Sequence, residues 1–244
     1  MLNILVIHGY VQSAATVAEN TLPLREALAD IAHLHYVDGP RLDASPSRPW
    51  WILDSDLEHD IRAADRWKDV VEWWSQELSK NQYDGIIGLS QGAAMTALLL
   101  SMLKSPEKVP GFKVTKEQPI QFAILCSGLS PFLLKDYTGL QLLFIKVFGP
   151  SMSRMAVYTK FRIYPRYIAS GILLTERFIS WLMYNWLLAV DPADTIVPAW
   201  KTEALQKLFT DSQLLSHSEG HRIPVQGNWP KNMRKFIQQN MREG

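Results

Sequence analysis

A chain of 244 residues with 47% hydrophobic content, 13 glycines and 14 prolines has the make-up of an ordinary globular protein and is long enough to enclose the core of one large α/β domain. Its 25 basic residues nearly cancel its 24 acidic ones, leaving a formal charge of +1, which excludes nucleic-acid binding or recognition of an acidic partner driven by overall charge. The one cysteine, Cys126, excludes an internal disulfide, and its place in an apolar run makes it a buried, inert strand residue.

The chain opens on Met1-Leu2-Asn3-Ile4-Leu5-Val6-Ile7, which has no basic leader and only a short apolar run. That pattern predicts a first strand rather than a signal peptide, and a cytoplasmic protein. The strand runs directly into the glycine-bearing loop His8-Gly9-Tyr10-Val11-Gln12. Leu22 to Ile31 is helical in pattern, with Thr21 as its cap and Pro23 tolerated in the first turn, and His33 to Val37 reads as a second strand. Asp38 to Ser55 combines prolines with the pair Trp50-Trp51 and is expected to be a long loop over the edge of a sheet. Adjacent tryptophans there fit two readings equally well: a wall of an apolar acyl pocket, or a clamp holding the loop on the core.

Leu57, Ile61, Ala64, Val70, Val71, Trp74 and Leu78 recur near helical spacing and predict a packing helix over Leu57 to Leu78, its charges forming a solvated face. Asp84 to Leu89 is short and apolar, as a buried strand is, whereas Gly92 to Leu103 is apolar on every face, as a helix buried against a sheet is. A polar connection over Lys104 to Pro119 leads to another buried strand, Ile120 to Cys126. Strand and helix thus alternate, which argues for a mostly parallel sheet with helices on both faces.

Composition shifts between Leu134 and Tyr184, where apolar and aromatic residues crowd together. Lys146, Arg154, Lys160, Arg162, Arg166 and Arg177 face only Glu176 across Gln141 to Arg177. The uncharged run from Phe178 to Val190 is too short to span a bilayer, so no transmembrane segment is predicted. Three readings of this insertion stand side by side: a helical cap over the active site with a basic face suited to peripheral membrane contact, a packed insertion without a direct role, or residues of a faulty gene model. After it, Trp186 to Val190 restores a strand that ends in Asp191-Pro192-Ala193-Asp194-Thr195-Ile196-Val197-Pro198. Ala199 to Thr210 reads as helix, Ser212 to Ser216 as strand, and Pro230 to Met241 as a closing amphipathic helix beyond the loop His217-Ser218-Glu219-Gly220-His221.

The chemistry centres on Gly88-Leu89-Ser90-Gln91-Gly92, between a buried strand and a buried helix. A serine on so sharp a strand-to-helix turn needs small residues two positions away on either side, where side chains would strike the adjoining strand and helix. The stretch reads as a nucleophile elbow, and in α/β hydrolases, where such elbows occur, acid and base follow the serine in the order Ser-acid-His. Only His217 and His221 lie beyond both the elbow and the late carboxylate loop. His221 is favoured because it sits deeper in its loop, and Asp194 is favoured over Asp191 for the same reason, although nothing in the sequence excludes Asp191. His8 precedes the serine and ends a strand, which suits a positioning role. The oxyanion-hole amides are expected from Gln91, after the nucleophile, and from Tyr10 or Val11 in the first loop.

Several segments together resemble the FSH-type serine hydrolases of fungi and animals, within the α/β-hydrolase superfamily. They are Leu5-Val6-Ile7-His8-Gly9-Tyr10 with Gln12, Arg48-Pro49-Trp50-Trp51, Tyr83 to Ala94, Cys126-Ser127-Gly128, Asp194 to Pro198, and Gly220-His221-Arg222-Ile223-Pro224. The resemblance implies a single α/β-hydrolase domain over residues 1–244, in which 134–184 would be the cap or lid insertion of the first reading above. It also implies a Ser90-Asp194-His221 triad, hydrolysis of carboxylic esters or acyl thioesters, and no metal or organic cofactor. Glu219 departs from the family's frequent second glycine, and 134–184 is unlike the shorter connection expected there. An acyltransferase on the same triad and a catalytically silent binding protein on the same fold are the alternatives. The expected partner is a small-molecule acyl ester or thioester.

Overall fold

The computed structural model describes residues 1–41, 47–51, 60–128, 184–207, 209 and 212–241, with side chains from 67 onward in the segment that begins at 60. The expected insertion therefore lies outside the described residues, apart from Tyr184. In chain order the elements are β1 (Leu2–Ile7), α1 (Ala14–Asn20), α2 (Leu22–Leu28), β2 (Ala32–Val37), α3 (Asp60–Lys80), β3 (Gly85–Leu89), α4 (Gln91–Lys104), β4 (Phe122–Cys126), β5 (Asn185–Val190), α5 (Ala199–Gln206), β6 (Ser212–Ser216) and α6 (Trp229–Gln239). A single turn of 3-10 helix, Pro106–Lys108, follows α4.

The six strands form one sheet in the order β2-β1-β3-β4-β5-β6, and every pairing is parallel. Alternation along each central strand divides the core. Leu5, Ile7, Ile86, Ala123, Leu125, Trp186 and Leu188 pack with α3 and α4 on one face. Ile4, Val6, Ile87, Leu89, Ile124, Cys126, Leu187 and Ala189 pack with α2 and α6 on the other. Both faces are covered, which is why these strands read as continuous apolar runs rather than as alternating ones. Burying each such aliphatic side chain contributes about 1.5–3 kcal/mol, so the central strands are the main source of cohesion.

The helices follow from the same pattern. Trp67, Val70, Val71, Trp74 and Leu78 form the buried stripe of α3, while α4 is buried continuously from Gln91 to Met102. Helix α1 has no counterpart among the expected elements: seven residues that bury only Val17 are too few to display a stripe. Thr21 stands at the N-cap of α2 as expected, but its hydroxyl bonds to Val17 O at 2.6 Å and to the Tyr36 hydroxyl at 2.7 Å and makes no capping bond to the helix. The expected helix over Ala199 to Thr210 stops at Gln206. No described helix is long and apolar enough to cross a membrane.

Strand order decides where a site can form. From β1 the chain goes to β2 on one side, returns past β1 to β3, and then proceeds outward through β4, β5 and β6. The reversal lies between β1 and β3, the place where ligand crevices form in open α/β sheets, beyond the carboxyl ends of the strands. The first of those loops is 8–12 and the second begins with Ser90.

Candidate active site

Ser90 occupies that switch point with φ 55° and ψ −114°, a positive φ that a non-glycine residue adopts only under constraint. The constraint comes from both sides. A Cβ on Gly88 would stand 2.6 Å from Gly92 O and 2.7 Å from Ala93 Cα, against the helix. One on Gly92 would stand 2.1 Å from Ile7 O and 2.6 Å from His8 O, against β1. Both expected collisions, one with the helix and one with the strand, are thus present as distances, and no side chain can relieve them because the obstructing atoms are mostly backbone. The Ser90 amide donates to Cys126 O at 2.9 Å, which fixes the turn against the end of β4.

Neighbouring strands carry the remaining groups at the same level. Leu89 pairs with Cys126, Cys126 with Ala189, and Val190 with Ser216, so the residues that follow each strand emerge side by side at about 4.8 Å spacing. Asp191 and Asp194 follow β5, and the loop to His221 follows β6. His221 Nδ1 lies 2.8 Å from Asp194 Oδ2, and no such contact joins Asp191 to either histidine ring among the described residues. Asp194 Oδ1 also accepts from the amides of Ile196, at 2.8 Å, and Val197, at 2.9 Å. Burial pushes this carboxyl up, but the bond from His221 and the two amides outweigh it and hold Asp194 below the usual carboxylate value, so it stays ionised. With Nδ1 committed to Asp194, Nε2 is the nitrogen left to accept a proton. No hydrogen bond joins Ser90 Oγ to His221 among the described residues; such contacts commonly tighten only when substrate is bound.

Asp191 does a different job. Its Oδ1 accepts from Ala193 N at 2.7 Å and its Oδ2 from Gly220 N at 2.6 Å, so one carboxylate links the Asp194 loop to the His221 loop. Those two amides hold it below the usual carboxylate value. Glu219 braces the same loop from the other end, accepting from Val225 N at 3.0 Å and Gln226 N at 2.9 Å. The residue standing where a glycine was expected therefore ties the loop down. His217 is buried edge-on to Trp229, and its Nδ1 lies 3.3 Å from the Glu219 amide. Burial lowers its pKa despite the nearby Asp191, Glu219 and Asp194 carboxylates, as expected of a neutral structural histidine. Cys126 is buried and burial pushes its thiol up, which leaves it unreactive.

On the other wall, Gly9 N donates to Gln12 Oε1 at 3.0 Å and Gln12 N to Gly9 O at 3.3 Å, closing the loop on itself. The amides of Tyr10, Val11 and Gln91 have no hydrogen bond among the described residues. A Cβ on Gly9 would lie 3.3 Å from Ser90 Cβ, which sets this loop directly beside the serine. His8 is buried, its Nδ1 2.8 Å from Gly9 O and its Nε2 3.6 Å from Asp38 Oδ1, and burial lowers its pKa. Trp50 is completely buried, stacked between His8 at 5.2 Å and Trp74 at 5.0 Å, and Trp51 is buried beside it.

Ser90, the His221–Asp194 pair and the amides of the first loop thus stand together at the carboxyl ends of one sheet. The family model described as serine hydrolase (FSH1) matches residues 1–233. The chain belongs to that serine hydrolase family. Among its relatives, the bovine protein named esterase OVCA2 is 25% identical over 264 residues, covering 98% of this chain and 96% of the relative. A Caenorhabditis elegans esterase is 25% identical over 253 residues, covering 98% of this chain and 94% of its own. Among solved structures, esterase PE8 has a TM-score of 0.57 at 16% identity, covering 98% of this chain and 93% of that one. Zea mays acyl-protein thioesterase 2 has a TM-score of 0.56 at 14% identity, with the same coverages of 98% and 93%. These likenesses establish the α/β-hydrolase fold for this FSH1-family chain, and the family carries hydrolase chemistry.

Sequence reasoning missed the parts played by Gln12, the Gln91 side chain, Asp191 and Glu219. Gln12 stood within a recognisable motif, and Asp191 within the carboxylate loop. The partners of all four are backbone atoms, which leave no mark on residue type.

Proposed function

We propose that the chain hydrolyses carboxylic esters or acyl thioesters of small to medium acyl groups, with Ser90 as nucleophile, His221 as base and Asp194 as the acid that orients it. The observation that carries this reading is the 2.8 Å contact between His221 Nδ1 and Asp194 Oδ2, at the level where Ser90 leaves the adjacent strand ends. His221 Nε2 takes the Ser90 proton as Oγ attacks the acyl carbon, and Asp194 stabilises the imidazolium. The amides of Gln91 and of Tyr10 or Val11 hold the oxyanion, and losing one such donor costs roughly 3–4 kcal/mol. The imidazolium returns its proton to the departing alcohol or thiol, and water then releases the acid from Ser90 by the same sequence.

The names of its relatives support ester cleavage, and the fold neighbour named as an acyl-protein thioesterase supports the thioester alternative. Trp50 is enclosed by His8, Trp73 and Trp74 and Trp51 is buried beside it, and a wall of the acyl pocket at this pair belongs to the same reading. A cytoplasmic location, and peripheral membrane contact through the basic residues of 141–177, belong to the same proposal. The test is labelling by a fluorophosphonate alongside hydrolysis of p-nitrophenyl esters of increasing chain length. The natural chain should label and turn over. Ser90→Ala should do neither, and His221→Ala should lose about 10⁴-fold or more in kcat. A folded natural chain that neither labels nor hydrolyses would sink the reading.

A further inference from the structure

Residues 48–51 touch both halves of the proposed oxyanion hole. Toward the first loop, Arg48 N donates to Gln12 O at 3.0 Å and Trp50 Nε1 donates to His8 O at 3.0 Å, while the Trp50 indole stacks on the His8 ring. Toward the elbow, the Gln91 side-chain amide brackets the same segment: Trp50 N donates to its Oε1 at 2.9 Å, and its Nε2 donates to Trp51 O at 2.7 Å. Gln91 is 3% exposed and Trp50 0%, so these bonds are shielded from water. The first loop supplies Tyr10 N or Val11 N; the elbow supplies Gln91 N. Four hydrogen bonds thus run from one donor's loop, through Arg48-Pro49-Trp50-Trp51, to the very residue whose amide is the other donor.

We infer that Arg48 to Trp51 is a strap that sets the distance between the two oxyanion donors, with Gln91 and Trp50 as positioning residues acting through the backbone amides of Gln91 and of Tyr10 or Val11. The inference rests on the hydrolase reading above and deepens it. Three physical points favour a spacer over a simple loop anchor. An oxyanion hole works only if its donors are preorganised to within a few tenths of an ångström. The two donors stand on the separate loops that follow β1 and β3 at the switch point and, among the described residues, share no direct hydrogen bond. The Gln91 side chain, moreover, uses both ends of its amide on the strap and none on the helix it begins. Anchoring the loop would require only the Trp50 stack on Trp74.

The test uses Gln91→Met, which keeps the main-chain donor and the side-chain length but removes both bracketing bonds, and Trp50→Phe, which removes the bond to His8 O. Steady-state hydrolysis of p-nitrophenyl butyrate, inhibition by an aliphatic trifluoromethyl ketone and thermal melting are measured on each. Gln91→Met is expected to lower kcat by roughly 10–100-fold, less than deleting an oxyanion donor outright, with KM changed less than threefold. Trifluoromethyl ketone affinity should fall in parallel with kcat/KM, because only the tetrahedral adduct places charge between the two donors. Trp50→Phe should act in the same direction but more weakly, and the double variant should lose less than the product of the two single losses, since both cut one strap. Leu28→Ala, in the core remote from the strap, should lower the melting temperature without moving kcat. Gln91→Met with natural kcat and natural ketone affinity would overturn the inference, as would a rise in KM alone. Should Gln91→Met fail to fold, Trp50→Phe decides by the same readouts. Inactivity of the natural chain would remove the hydrolase reading and this inference with it, whereas an active natural chain with unmoved variants removes only the strap.

Discussion

The two halves of the site are held by different physics. Around Ser90 the fixing contacts are steric and uncharged: glycines pressed on backbone, amides of glutamine, and an indole stacked on His8. Around His221 they are ionic. Asp191 and Glu219 each accept two backbone amides, and Asp194 accepts two amides and the His221 ring. Under the proposed function, Ser90 as nucleophile must be held in a strained conformation, which rigid packing does well. His221 as base would have to exchange protons, and carboxylates can orient it and stabilise its charged form. The first half should therefore be the more sensitive to volume, and the second, where three carboxylates gather, the more sensitive to pH.

The sharpest test of the ionic half compares its two aspartates. Asp194→Asn should leave the chain folded and lower kcat on the order of 10⁴-fold, by breaking the acceptor that fixes the His221 tautomer. Asp191→Asn, which disturbs the loop without touching the ring, should lower kcat roughly 10–100-fold, in the range seen when a supporting partner is removed. Equal losses measured by steady-state kinetics would erase the distinction between the acid and the residue that links its loop to the base. On the steric half, Gly92→Ala should cost about 3 kcal/mol in urea unfolding, because its Cβ would meet Ile7 O and His8 O and backbone cannot step aside. A smaller loss, with the elbow intact by fluorophosphonate labelling, would mean that this half yields more than its contacts suggest.

The smallest effect concerns pH. His8 and His217 both have lowered pKa values because burial disfavours their charged forms. The unfolded chain then binds more protons than the folded one below about pH 6.5, the ordinary histidine value. Their contribution to stability is fully present above that pH and is lost as the pH falls toward their lowered folded values. Asp191 and Asp194, also lowered, keep their contribution until the pH passes below about 4, the ordinary aspartate value, and lose it toward their own folded values. Melting temperature should therefore decline in two stages, a shallow one from pH 7 to 5 and a steeper one below 4, and His217→Gln should flatten only the first.

Much of this was legible in residue order. The buried strands announced themselves as apolar runs, and the Gly88-x-Ser90-x-Gly92 spacing announced the elbow because any larger residue would collide with a neighbour. The Ser-acid-His order narrowed the base to two histidines and the acid to two aspartates. Helix α1 escaped because seven residues with one buried side chain show no period. Position in the loop favoured Asp194 over Asp191 without excluding the latter, and only the distance to His221 tells their contacts apart. Tertiary structure alone turned the Trp50-Trp51 pair into a fork: Trp50 closed in by His8 and Trp74, Trp51 beside it, both tied to Gln91. What the sequence determined by itself was which groups could do the chemistry, because residue type and local spacing fix reactivity and turn geometry. What only the fold decided was which of them meet, because strand order and backbone hydrogen bonds are made between residues far apart in the chain and are nearly blind to side-chain identity.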